Sequence, residues 1–173
     1  GNAESADIQG LEVDWVLAVT DELQIRAVAS WLDTEYGSFE AAAYELPNTQ
    51  FGMTQVILQM KGSQMKMAPE MTLGLSATHT SQLDSGELEI NASMNYSDEY
   101  WFDYKQRLTQ DSFSTINTSV SYVPNSNNDM RLTLYTTNLT NEEYFATALL
   151  GPSADAPVYS PPRQIGVAMD YSF

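Results

Sequence analysis

The sequence predicts an all-β protein, an antiparallel barrel that crosses a membrane with strands, and three observations predict it. Stretches of apolar–polar alternation recur along the chain, and the connections between them are alternately short and long. No run approaches the roughly 18 consecutive apolar residues that a membrane-crossing helix needs. The last stretch, residues 161–173, shows the pattern well. Ile165, Val167, Met169, Tyr171 and Phe173 share one parity, and Gln164, Gly166, Ala168, Asp170 and Ser172 share the other. Successive side chains of a strand point to opposite faces, so this strand has one greasy and one polar side. Soluble sandwiches seldom end on such a strand, whereas a barrel must pair its final strand fully with the wall.

Composition narrows the function classes. The 173 residues suffice for one domain, and the absence of cysteine removes disulfide frameworks and thiolate metal sites. Seven Lys and Arg stand against 23 Asp and Glu, a formal charge of −16, which argues against nucleic acid and anionic membrane surfaces as partners. Ten Tyr, three Trp and six Phe suit strands with aromatic girdles. Gly1-Asn2-Ala3-Glu4 has neither the basic start nor the apolar segment of a leader, so the expectation is a cleaved leader or a chain that begins inside a longer one.

The first strand is expected over Asp7 to Val19, with Leu11, Val13, Trp15, Leu17 and Val19 on one face and Glu12 and Asp14 opposite. Thr20-Asp21-Glu22 turns it into a second, Leu23 to Tyr36, whose apolar row is Leu23, Ile25, Ala27, Ala29 and Trp31. A long connection, Gly37 to Met67, carries Pro47-Asn48 and Met53, Met60, Met65 and Met67. The third strand, Pro69 to Thr80, turns at Gln82–Gly86 into the fourth, Glu87 to about Phe102, where Leu88, Ile90, Ala92, Met94 and Tyr96 alternate with Glu87, Glu89, Asn91, Ser93 and Asn95. Residues 103–111 form a loop before the fifth strand, Ser112 to Val123. Pro124–Asn128 is a short turn, and the sixth strand runs from Met130 to about Leu139. A last loop, Thr140 to Ser160, carries Gly151-Pro152 and precedes the closing strand. Connections after strands one, three and five are short and the others long, the rhythm of periplasmic turns and extracellular loops. Bacterial barrels close on an even count, so seven strands lead to the expectation that further strands precede Gly1.

These residues carry a resemblance. Pro69-Glu70 after a long loop, "SDEYWFD" at 97–103, "QDSFSTINTSVSY" at 110–122, "NLTNEEYF" at 138–145 and "PPRQIGVAMDYSF" at 161–173 resemble, in order and spacing, the landmarks of TonB-dependent outer-membrane receptors. The resemblance implies about seven carboxyl-terminal strands of a barrel of about 22, plugged by an amino-terminal domain that has no counterpart here. It implies active uptake of a scarce ligand such as a ferric siderophore, cobalamin or a carbohydrate in the outer membrane of a Gram-negative bacterium. TonB would act through the absent plug, and outer-membrane lipid and the barrel-assembly machinery would be partners. That machinery would read the closing strand, where Arg163, Gly166, Val167, Tyr171 and Phe173 carry the signal.

Candidate sites follow from where loops meet the lumen. Asp33, Glu35, Tyr36, Tyr100, Trp101, Asp103 and Tyr104 are the expected ligand contacts, because aromatic side chains offer area at low entropic cost and carboxylates meet cationic or polyhydroxylated groups. An aromatic girdle above acidic, solvated loop bases is the competing account of the same residues. His79, the single histidine, reads as a rim residue rather than a catalyst, and no Gly-x-Ser-x-Gly is present. The methionines at 53–67 read as loop packing rather than a soft-metal site, and Glu12, Asp14, Glu87 and Glu89 as lining of a wet lumen. No catalytic residue, metal or cofactor is expected. A small outer-membrane barrel or adhesin without transport, and a soluble secreted β-sandwich that binds ligand, stay open as alternatives.

Overall fold

A computed structural model describes residues 5–39, 42–47, 52–104, 106–151 and 154–172, with backbone alone for 42–47, 53 and 55–58. Gly1, Pro152, Phe173 and the side chain of Met53 lie outside the described residues. Thirteen strands and no helix are present among them: β1 (Ala6–Ala18), β2 (Leu23–Tyr36), β3 (Ala42–Pro47), β4 (Met53–Leu58), β5 (Met71–Leu83), β6 (Gly86–Ser97), β7 (Tyr100–Trp101), β8 (Thr109–Gln110), β9 (Phe113–Pro124), β10 (Met130–Thr137), β11 (Phe145–Leu150), β12 (Asp155–Tyr159) and β13 (Gln164–Tyr171). Seven of them make one antiparallel sheet in the order β1-β2-β5-β6-β9-β10-β13, which is open at both edges. Its strands are the seven that alternation predicts, shifted at some ends. The third continues to Leu83 and the fourth stops at Ser97. There the Asp98 amide donates to the Met71 carbonyl and the chain then leaves the ladder.

The register carries the two faces across the whole sheet. Leu17, Ile25, Ala77, Ala92, Thr118, Thr136 and Ile165 stand in one cross-strand row, and Ile90, Val120, Leu134 and Val167 in another. A one-residue slip in any pairing would turn a strand's apolar side to the polar face, so the alternation excludes every odd slip. On the opposite face Gln24, Thr78, Asn91, Ser119, Tyr135 and Gly166 line up. Polar side chains there bond one another: Thr78 Oγ1 donates to Asn91 Oδ1 at 2.6 Å, Asn91 Nδ2 to Glu89 Oε1 at 2.8 Å, and Arg26 pairs with Asp14. His79 falls on the apolar parity beside Leu23 and Ile90, with its ring nitrogen 2.9 Å from Ser81 Oγ.

Tight turns join the strands at one end. Thr20 Oγ1 accepts from the amides of Glu22 and Leu23, which closes the first. At the second, a Cβ on Gly86 would run into the Val123 carbonyl and Pro124 Cα, so only glycine lets the neighbouring strand approach. The long connections at the other end, expected as loops, each contain a two-stranded ribbon, β3-β4, β7-β8 and β11-β12. Short segments that pair only with themselves carry no core-facing alternation, which is why the pattern did not reveal them. Most of the buried side chains belong to this end. Tyr36, Phe39, Met60 and Phe102 are 5–7% exposed, and outside it Ser121 and Gly86 are the buried residues among those described.

Candidate functional site

The end that carries the ribbons is the mouth of the sheet, and its packing starts where β2 leaves the ladder. Tyr36 stacks at a tilt on Phe39 (5.1 Å between ring centres) and Phe39 on Tyr104 (5.6 Å), with Met60 and Met65 packed against them. The Tyr36 amide donates to the Ser63 carbonyl, and Thr34 Oγ1 accepts from the Met65 amide. Met60 and Met65 therefore serve packing, while Met67, at a left-handed φ of 53°, stays exposed and donates its amide to the Trp101 carbonyl.

The second connection binds the first to the third. A second aromatic chain runs Tyr100, Phe102, Phe145, Tyr159, with centres 5.0–6.2 Å apart. Gln110, 5% exposed, accepts from the Phe145 amide at 2.6 Å and donates to the Asp111 carbonyl. Arg107 bridges the two ribbons: its Nε donates to Asp103 Oδ2 and its Nη2 to Asp155 Oδ1, both at 3.1 Å, while Asp103 Oδ1 accepts the Arg107 amide. Burial works against the Arg107 charge, but its bond to Asp103 and the charges of Asp155 and Asp103 outweigh that and raise its pKa further. Burial, and then Tyr144, push the Tyr100 phenol above its ordinary range, so it remains a neutral hydroxyl.

The expected ligand contacts thus separate into three groups. Tyr36, Asp103 and Tyr104 are drawn into packing and ion pairing at the mouth. Tyr100 and Trp101 form β7 and are half-buried. Asp33 and Glu35 are exposed and have the parity of Trp31, on the apolar face above its greasy band, paired with Gln9 and Asp7.

Alternation does not mark a further set of structural residues, those that lock the final strand. Asn138, 7% exposed and at φ 50°, uses its whole side chain: Oδ1 accepts from the Glu142 amide, and Nδ2 donates to the carbonyls of Glu142 and Pro161. Its amide donates to Asn117 Oδ1. Asn141, also left-handed at φ 57°, accepts the Arg163 amide, and Arg163 Nη1 reaches the Leu139 carbonyl. Asn tolerates the left-handed region better than most residues, which accounts for both asparagines of "NLTN". The boxes at 138–145 and 161–173 are therefore two halves of one clasp. Beyond it, the ring of Tyr135 lies over Gly166, where any Cβ would collide with it. Val167 and Tyr171 stand on the apolar parity, exposed. Among the described residues no group of three His, Asp or Glu is placed to hold a metal.

Comparison with known proteins matches this architecture. The family model described as "TonB dependent receptor-like, beta-barrel" matches residues 1–139. The ferric yersiniabactin uptake receptor FyuA from Yersinia pestis superposes with a TM-score of 0.78 at 17% identity, over 97% of this chain and 24% of that one. The siderophore receptor PiuA from Acinetobacter baumannii gives 0.73 at 22% identity, over 96% and 22%. BauA, the ferric preacinetobactin receptor of Acinetobacter baumannii, gives 0.70 at 17%, over 97% and 22%. No curated protein matches. At these identities the likeness is one of fold, and the chain spans about a quarter of the length of the solved receptors. That fold is a membrane barrel rather than a soluble sandwich, and with the family model covering residues 1–139 the chain belongs to the TonB-dependent receptor β-barrel family.

Proposed function

We propose that the chain is the carboxyl-terminal wall and mouth of an outer-membrane uptake receptor in a Gram-negative bacterium, importing a scarce small ligand with energy relayed by TonB to a plug outside this chain. The observation that carries this is the union of a two-faced sheet with a packed mouth. One face is a continuous apolar band suited to lipid, the other a hydrogen-bonded polar wall suited to a wet lumen, and the connections at one end are folded ribbons rather than free loops. FyuA, PiuA and BauA are named as receptors for ferric yersiniabactin, a siderophore and ferric preacinetobactin, which favours a siderophore over cobalamin or a carbohydrate as cargo. On this reading the chain acts as wall and gate. Tyr100 and Trp101 are the proposed ligand contacts, with Tyr36, Asp103 and Tyr104 shaping the mouth behind them, and Asp33 and Glu35 at its outer rim. The barrel-assembly machinery would read the closing segment, residues 161–173, through Val167, Tyr171 and Phe173, with β13 positioned by Arg163 and Gly166.

The test is accumulation of a labelled ferric siderophore by iron-starved cells that carry or lack the full-length receptor, each with and without TonB. Uptake that requires both supports the reading. Equal accumulation in all four strains, across a panel of siderophore chemistries, would sink it.

A further inference from the structure

Between the second and third ribbons lies a pocket of about 310 Å³ that the packing at the mouth does not fill. That volume is at the lower end of the range for small-molecule sites. Its aromatic wall is built: Phe113, which has the parity of the polar face, stacks on Tyr144 with ring centres 4.2 Å apart and planes 7° from parallel, and Tyr159 stands beside them 62% exposed. Its rim is acidic, with Asp111, Glu142 and Glu143, and among the described residues no Lys or Arg side chain lines it. Arg107 is committed to Asp103 and Asp155. The two sides of the pocket are tied together by Gln110, so the cleft is part of the folded mouth rather than a gap between free loops.

A neighbouring recess of about 280 Å³ shares Glu142, Glu143 and Tyr159. It is lined in part by Ser160, whose hydroxyl oxygen is buried and meets no hydrogen-bond partner among the described residues. Solvated carboxylates alone would need no ligand. Carboxylates around stacked aromatic rings in one cleft suit a cation that meets both.

We infer that this double recess binds the organic cation of a ligand, a substituted ammonium or guanidinium group, with Asp111, Glu142 and Glu143 supplying charge and Tyr144 and Tyr159 aromatic surface. Ring faces attract a cation through their quadrupole, and the carboxylates add to that attraction while repelling an anion. The inference rests on the uptake reading and deepens it: the site would admit a ligand with a positive pole and reject a purely anionic one.

The experiment measures equilibrium binding of choline and of its neutral isostere 3,3-dimethyl-1-butanol to the full-length receptor in detergent micelles. Choline is expected to bind at least about tenfold tighter than the isostere. Glu143→Gln, at an exposed position, should weaken choline alone by about threefold, and Asp111→Asn/Glu142→Gln/Glu143→Gln by at least about tenfold. Unchanged heat-modifiable gel mobility would show that each variant barrel is folded, and should the triple variant not fold, the single one decides. Equal affinity for the two probes, choline binding that survives neutralisation of the rim, or tighter binding of a neutral sugar such as glucose overturns the inference. The two readings fail separately. TonB-dependent uptake of a purely anionic siderophore would overturn the cation subsite and keep the receptor, whereas choline binding to a protein with no TonB-dependent uptake would do the reverse.

Discussion

Along the sheet the large apolar side chains lie open, Val167 at 75% exposure and Trp15 at 52%, whereas at the mouth Tyr36 and Phe39 are at 6%. The wall is held by its backbone ladder and by the medium outside it, because its apolar face has no protein to pack against. The mouth is held as a small globular core is held, by buried rings, ion pairs and fully bonded polar side chains. On the proposed reading, hydrophobic burial in the wall would be supplied by lipid, whereas in the mouth the chain supplies it itself. The same substitution should therefore have different consequences in the two regions.

Four tests sharpen or break that contrast, from the largest effect down. Val167→Arg, on the outer face, should cost about 2–4 kcal/mol if it lies near the bilayer midplane, whereas Asn91→Arg on the inner face should be much milder. Urea unfolding of the full-length receptor in lipid vesicles measures both, and equal costs would reverse or erase the assigned faces. Asn138→Ala should cost about 2 kcal/mol, since it strands the amide of Glu142 and two carbonyls and leaves alanine at a left-handed φ. Asn138→Gly, which removes only the backbone strain, should recover part of that loss; no difference between the two would make the conformation irrelevant. Gly166→Leu should cost about 1 kcal/mol by forcing the Tyr135 ring aside, visible as slower barrel assembly and a lower melting temperature. Arg26→Gln should leave unfolding unchanged, because its pair with Asp14 is solvent-exposed. A large loss there would mean that the pair is desolvated in the assembled barrel.

The fold was legible wherever strand parity has something to separate. In β6 the row Leu88, Ile90, Ala92, Met94 against Glu87, Glu89, Asn91, Ser93 reads as a wall because one side is apolar and the other polar. The ribbons lacked that signal. Phe145–Leu150 and Asp155–Tyr159 show no alternation, although Gly151-Pro152 between them is a turn signal that could have suggested a hairpin. The candidate site was legible by composition only. Asp103 reads as a free carboxylate next to aromatic residues, and nothing in its neighbourhood of the sequence announces Asp155, which shares its arginine from 52 positions away. The motif at 138–145 was recognisable as a pattern, yet its physical content, a clasp onto Pro161 and Arg163, required the chain to be folded.

By itself the sequence determined the seven strands and the identity of their two faces. Side-chain parity along a strand is a local property, and the demand for an apolar outside and a polar inside holds at every residue of the wall. The tertiary structure alone decided what the long connections do: that they fold into ribbons, that Arg107 and Gln110 join two of them, and that a cleft rimmed by Asp111, Glu142 and Glu143 opens between them. Those arrangements depend on contacts between residues far apart in the chain, where local pattern carries no information and only packing selects the partner.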